Sequence, residues 1–224
     1  VSGRHYRRHE GKGGLQEFDH PPMVKKITKF ASTINNPEEF EGKINKAIES
    51  CFNGRGGPSF IDIPLDVQVE LVSKTKNSPK LKQNIQLNKS SSKKLLSTRN
   101  AISKAKRPVL LIGSKVESIN ELNKFVSSNK LPTYLSGQAR GSVPFNSKYF
   151  FSRSRKHALS EADLVLSFGV DYDFRLKYGE GISKDAKIVA IDPDKEKLSW
   201  NITPSIQIHT ALDSAIKKLS KYKI

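Results

Sequence analysis

Gly57-Pro58-Ser59-Phe60-Ile61-Asp62-Ile63-Pro64-Leu65-Asp66-Val67 reads as a short buried strand with a sharp exit. Gly57-Pro58 cannot continue a helix, because proline fixes φ and lacks a backbone donor. Phe60, Ile61 and Ile63 suit a pleated, buried surface. Pro64 ends the ladder, having no N–H to give. Just upstream, Asn36-Pro37-Glu38-Glu39 has the form of a helix start, with a capping residue, proline at the first position and a glutamate three residues on. Phe40, Ile44, Ala47, Ile48, Cys51 and Phe52 follow as one apolar stripe of helical period, and Gly54 supplies the stop. A helix leading into a buried strand is the last unit of a parallel α/β layer. Residues 1–14 are basic and glycine-bearing with no clear period, and read as a frayed edge.

From Leu71 to Val116 the chain has no acidic and no aromatic residue while Lys, Ser and Asn accumulate. That composition predicts a solvated basic linker over about 71–90. Beyond it, strands are expected at Pro108–Ser114, ending in a glycine turn, and at Leu131–Leu135, Asp163–Gly169, Lys187–Asp192 and Ser205–Ile208, with helices between them. Ser118 with Glu121, and Thr210 with Asp213, have the spacing of capping boxes for two of these helices. Strands alternating with helices predict a Rossmann-like, doubly wound parallel sheet over 91–224, with a partial second α/β domain at 1–70.

The chain has 224 residues, a net charge of +17 and 36% hydrophobic residues, a low apolar share that fits a solvated segment or an incomplete domain. The charge raises a nucleic-acid hypothesis, but the basic stretch lacks the stacking rings that single-strand binders use, so no nucleic-acid partner is expected. No run of about 18 apolar residues is present, so no membrane span is expected either. Cys51 is the one cysteine, which excludes an intramolecular disulfide; on the apolar stripe it is expected to be buried and inert. Val1 stands at the first position and the one methionine is Met23, so a piece of something longer is expected.

In doubly wound sheets ligands bind beyond the carboxyl ends of the strands. Those ends are Gly113-Ser114, Ser136-Gly137, Gly169-Val170 and Asp192-Pro193. Gly113, Gly137 and Gly169 permit close backbone approach to a phosphate or sugar, or are ordinary turn glycines. Asp192 could accept a ribose hydroxyl, or cap a turn. Arg140 and Arg175 could clamp phosphates. Neither standard phosphate fingerprint is present. No catalytic constellation and no metal-ligand pattern stands out; His5 and His9 share a four-residue spacing without further ligands.

Three strings, with the opening one, carry a family likeness. Gly14-Leu15-Gln16-Glu17-Phe18-Asp19, followed by Ile27-Thr28-Lys29, resembles the G-x-x-Q-E-x-D…x-T-K signature of acetolactate synthases and 2-hydroxyacyl-CoA lyases. Gly137-Gln138-Ala139-Arg140-Gly141 is similar to that branch's G-x-A-R-G. Leu159 to Gly169, then Asp173-Phe174-Arg175-Leu176-Lys177-Tyr178-Gly179, resembles its A-L-x-x-A-D…G and D-F-R-L-x-Y-G strings. The likeness is to thiamine diphosphate-dependent enzymes and runs from about Gly14 to the end.

The resemblance implies the end of a pyrimidine-binding domain, a linker and a whole central domain. It implies thiamine diphosphate and Mg2+ in the complete enzyme, with FAD, or the ADP portion of coenzyme A, at the central domain. By resemblance Gln16 lies near thiamine and substrate across a dimer interface, and Arg175 lies beside the flavin and substrate channel with Asp173 in the same loop. The family's upstream glutamate and downstream G-D-G…N motif have no counterpart here, so this chain alone is expected to be inactive. The implied substrate is a 2-oxo acid or a 2-hydroxyacyl-CoA, and the implied assembly a homodimer or homotetramer. The compartment stays open, with an intracellular, organelle or endoplasmic reticulum setting suggested by the resemblance. Rival readings are a non-catalytic FAD, ADP or NAD binding module and, third, a basic nucleic-acid binder.

Overall fold

The computed structural model describes residues 1–15, 17–72, 89–114 and 116–221. Gln16 and most of the expected basic linker lie outside them. The chain divides into two compact units, Val1–Asn84 and Ile85–Ile224.

In the first unit β1 (Ser2–Arg4), β2 (Phe30–Thr33) and β3 (Ser59–Pro64) form a sheet in the order β1-β3-β2, all parallel. The opening motif is thus the central strand. Ile61 and Ile63 are buried with Ile34, Ala47 and Val67 in a small core. Helix α1 (His20–Val24) is short, and α2 (Phe40–Phe52) packs on β2 and β3. Asn36 Oδ1 accepts from Glu38 N at 3.1 Å, starting a 3-10 turn that runs into α2. Only the middle of the expected apolar stripe is covered: Ala47 is buried, whereas Phe40 and Phe52, one at each end, are exposed and Cys51 is half-buried. The helix overhangs the two strands it packs on.

Residues 1–14 are not a frayed edge. Ser2, Gly3 and Arg4 pair with Asp62, Ile63 and Pro64. The basic segment enters the sheet because its charge is met internally. Arg4 donates to Glu10 at 2.6 Å and lies 3.6 Å from both Asp19 and the fully buried Asp62. Arg7 similarly bonds Asp66 at 2.7 Å, and also contacts Glu70.

The second unit has a five-stranded parallel sheet in the order β5-β4-β6-β7-β8, built from β4 (Pro108–Ile112), β5 (Thr133–Leu135), β6 (Leu164–Phe168), β7 (Lys187–Asp192) and β8 (Ile206–His209). Alternation along β4 explains the layering. Leu110 and Ile112 join a core with Leu95, Phe125 and Ile216, from α3 (Lys89–Lys104), α4 (Ile119–Ser128) and α6 (Leu212–Ser220). Val109 and Leu111 join a separate core with Leu159 of α5 (Arg155–Glu161) and Tyr172. Helices therefore cover both faces, and the fold is α/β and Rossmann-like. Helix α3 packs against β8 and α6. Burial pushes the Tyr172 phenol up to about 12, so this ring stays neutral in the core.

Neither expected local capping box of the second unit forms. Ser118 and Ala211 occupy the cap positions without side-chain cap bonds. Asp213 instead reaches across to accept from Ser118 N at 2.7 Å and Glu117 N at 3.2 Å. Glu121 accepts from Ser220 Oγ at 3.0 Å. Packing of α4 against α6 has replaced two local motifs with a cross-helix exchange. Asp213→Ala should therefore cost the second unit about 1 kcal/mol, the usual loss for a missing cap. Urea unfolding of the chain measures it, and an unchanged midpoint would contradict this role.

Candidate functional site

The chain leaves β4 for β5 on one side, then returns to β6 on the other, so the order reverses between β4 and β6. This is the position where open α/β sheets bind ligands. Here the two strand ends approach very closely. A Cβ on Gly113 would lie 1.9 Å from the Gly169 carbonyl oxygen, and one on Gly169 would lie 2.6 Å from the Ser114 carbonyl oxygen. These two glycines serve loop-to-loop backbone packing.

Gly137 has a φ of +59° and opens a 3-10 turn, Gly137–Ala139, after β5. A Cβ there would sit 3.4 Å from Ser114 Oγ and 3.6 Å from Arg175 Nη1. Ser114, Gly137 and Arg175 thus converge. A cavity of about 250 Å³ lies between Ser136, Gly137, Arg140, Arg155 and Arg175. It adjoins a larger one of about 540 Å³ that shares Leu135, Arg140, Arg155 and Arg175. That larger cavity adds Arg153, Lys156 and Lys177 and has no acidic residue in its lining. Its size is ordinary for a cofactor or substrate pocket.

Arg175 is held in place. Its Nε donates to Asp173 Oδ1 and Oδ2 at 3.1 and 3.0 Å, and its backbone N–H donates to Asp173 Oδ1 at 2.9 Å. Arg155 Nη2 donates to the Arg175 carbonyl at 2.9 Å. The Arg175 guanidinium holds the Asp173 carboxyl below the usual carboxylate range. A lowered folded value means that the pair's stabilisation is complete above the unfolded carboxylate range, about pH 4, and fades as pH falls through the lower folded value. Between pH 6 and pH 3 the second unit should lose some resistance to urea, and Asp173→Asn should lose less. Equal losses in both proteins would refute the pair's contribution.

The loop carrying Arg175 is strained. Lys177 and Tyr178 have φ of +48° and +54°, and Gly179 follows at +91°. Non-glycine residues pay about 1 kcal/mol or more to sit there. Leu176 anchors the loop in the core, while Phe174 and Tyr178 are exposed.

Asp192 is placed differently from the arginines. It is buried, its Oδ1 accepts from Asp194 N at 2.8 Å, and it is absent from the lining of either cavity. Position at a strand end does not point to Arg153, Arg155, Lys156 or Lys177; the run Arg153-x-Arg155-Lys156 is the sequence signal for the first three. Among the described residues no three carboxylate, histidine or cysteine groups converge to hold a metal ion. Among the described residues no magnesium anchor is formed, and the cavity at the strand ends is lined by cationic side chains.

Comparison with known proteins agrees with this architecture. The chain is 28% identical to 2-hydroxyacyl-CoA lyase 2 of Danio rerio over 95% of its own length and 41% of the relative's. It is 30% identical to the acetolactate synthase large subunit of Mycobacterium tuberculosis over 86% of its length and 36% of the relative's. It is 28% identical to 2-hydroxyacyl-CoA lyase 1 of Homo sapiens over 99% and 40%. The chain thus spans about two fifths of the length of these relatives. Residues 97–219 match the thiamine pyrophosphate enzyme central domain, and they coincide with the sheet that carries the arginine-lined cavity; the chain belongs to the thiamine pyrophosphate-dependent enzyme family.

Proposed function

We propose that the second unit binds the nucleotide portion of coenzyme A, within a thiamine diphosphate-dependent carbon–carbon lyase of 2-hydroxyacyl-CoA type. The observation that supports this is the cavity at the strand ends, where Arg140, Arg155 and Arg175 converge beside Gly137 without a carboxylate in the lining. Guanidinium forks match phosphate oxygens in pairs, and the nearby left-handed glycine lets a backbone approach them. FAD, the ligand of an acetolactate synthase reading, would also find phosphate partners here. It brings fewer phosphates, however, to a strongly cationic lining.

In this reading residues 1–70 are the end of a pyrimidine-binding domain, 71–90 the linker and 91–224 the central domain, and Gln16 takes part in binding thiamine and substrate. Bound thiamine diphosphate with Mg2+ would supply an electron sink for breaking or making a bond beside a carbonyl. The residues of this chain orient the ligand: Asp173 fixes Arg175, and Arg155 ties down the same loop. The working assembly is a homodimer or homotetramer, and the 224 residues alone should not turn over pyruvate or a 2-hydroxyacyl-CoA.

Calorimetric titration of the 224-residue chain tests the ligand. Binding of CoA without retention of FAD supports the lyase reading. A yellow, FAD-retaining protein supports the synthase branch instead. Absence of binding to both would refute a nucleotide site here.

A further inference from the structure

Lys177 poses a question that the arginines do not answer. A lysine occupies a left-handed backbone position (φ +48°, ψ +42°) that glycine or asparagine would take at less cost. Backbone strain of this kind clusters at ligand sites. Lys177 lines the 540 Å³ cavity and also a further cavity of about 530 Å³ at its far end. The two share Lys156, Lys177 and Gly181. The outer cavity adds Ser160, Ser183 and Lys184, with Glu180 as its one acidic lining residue. The cationic trough therefore has two ends. Arg140 and Arg175 stand at the strand ends; Lys156, Lys177 and Lys184 stand at the other.

A ligand with one phosphate cluster needs one such end. We propose that the outer cavity is a subsite for a second, separate phosphate, the 3′-phosphate of a coenzyme A-type nucleotide, read by Lys156, Lys177 and Lys184. This rests on the nucleotide reading above and makes it more specific: the trough selects a ligand that carries phosphate on both sides of its ribose. Ser183 Oγ accepts from Asp185 N at 3.3 Å and keeps its own proton for the same oxygens, whereas Ser160 gives its proton to the His157 carbonyl at 2.9 Å. Glu180 opposes an anion here, but three lysines of the same lining outnumber it. Lysines suit this role because a flexible ammonium adapts to a solvent-exposed monoester, while the rigid forks remain at the pyrophosphate end.

The experiment is calorimetric titration of the full 224-residue chain with CoA and with 3′-dephospho-CoA. The dephospho form should bind roughly tenfold more weakly, as expected when charge-assisted bonds to one phosphate are lost. Lys177→Asn keeps a residue tolerant of the left-handed backbone, so folding is preserved. Because Lys177 also lines the larger cavity, its loss should weaken CoA more than it weakens 3′-dephospho-CoA. Lys184→Gln, on an exposed turn outside that lining, should weaken CoA and leave 3′-dephospho-CoA unchanged. Equal affinity for CoA and 3′-dephospho-CoA in the parent chain overturns this subsite while leaving the nucleotide reading intact. So does discrimination that survives in both lysine variants. Failure of both ligands to bind overturns the subsite together with the reading it rests on.

Discussion

Gly113→Ala should destabilise the second unit by about 3 kcal/mol or more, near the upper range for a single substitution. The added methyl would meet the Gly169 carbonyl oxygen at 1.9 Å, its carbon at 2.5 Å and Val170 Cα at 2.8 Å. All three are backbone atoms, so no rotamer change relieves the clash. Moving the strand ends apart would break the bond from Gly113 N to Phe168 O at 2.8 Å and strain that from Gly169 N to Ile191 O at 3.0 Å. Gly137→Ala is the instructive comparison. Its methyl would make contacts of 3.4 Å and longer, so its cost is mainly the left-handed φ, about 1 kcal/mol. Thermal and urea unfolding of the two variants should separate them clearly. A mild Gly113→Ala would mean that the two strand ends are looser than described.

The second large effect concerns binding. Arg140→Ala and Arg175→Ala should each weaken CoA by roughly tenfold to a hundredfold, the usual consequence of losing a charged hydrogen bond to phosphate. Arg175→Ala also removes the partner of Asp173, leaving a carboxylate beside the phosphate path, so its effect should be the larger. Arg175→Lys should not restore affinity, because an ammonium cannot hold Asp173 by the fork and also face the ligand. Titration of each variant with CoA checks the order. Undiminished affinity in both alanine variants would place the nucleotide elsewhere.

The alternating architecture was legible because β4, β6 and β7 are dense apolar runs between helical patterns. Strands β1 and β2 are not legible, for the opposite reason. They are three and four residues long, and Ser2-Gly3-Arg4 is polar; it becomes a strand only because Asp62–Pro64 offers a partner and Arg4 finds carboxylates. The helix starts near Ser118 and Thr210 are legible in the spacing, but their capping chemistry is not. Spacing in one segment cannot show that Asp213 serves another helix. The same limit governed the site. Arg140 and Arg175 were legible as residues at strand ends, whereas Arg153, Arg155 and Lys156 join them only once the α5 region folds back beside β5. Asp192 had the expected position but spends its carboxylate on a turn.

One feature of the second unit bears on how it forms. Helix α3, the first element of that unit, is held by its last ones: Lys94 Nζ donates to the Gln207 carbonyl at 2.9 Å, and Lys218 Nζ to Ser92 Oγ at 2.6 Å. Leu95 and Thr98 are fully buried through this closure. On a ribosome, α3 emerges first and waits, its greasy side wet, until more than a hundred later residues have appeared. Contacts so remote along the chain slow folding and prolong exposure to aggregation. Synthesis therefore delivers α3 long before the residues that cover it.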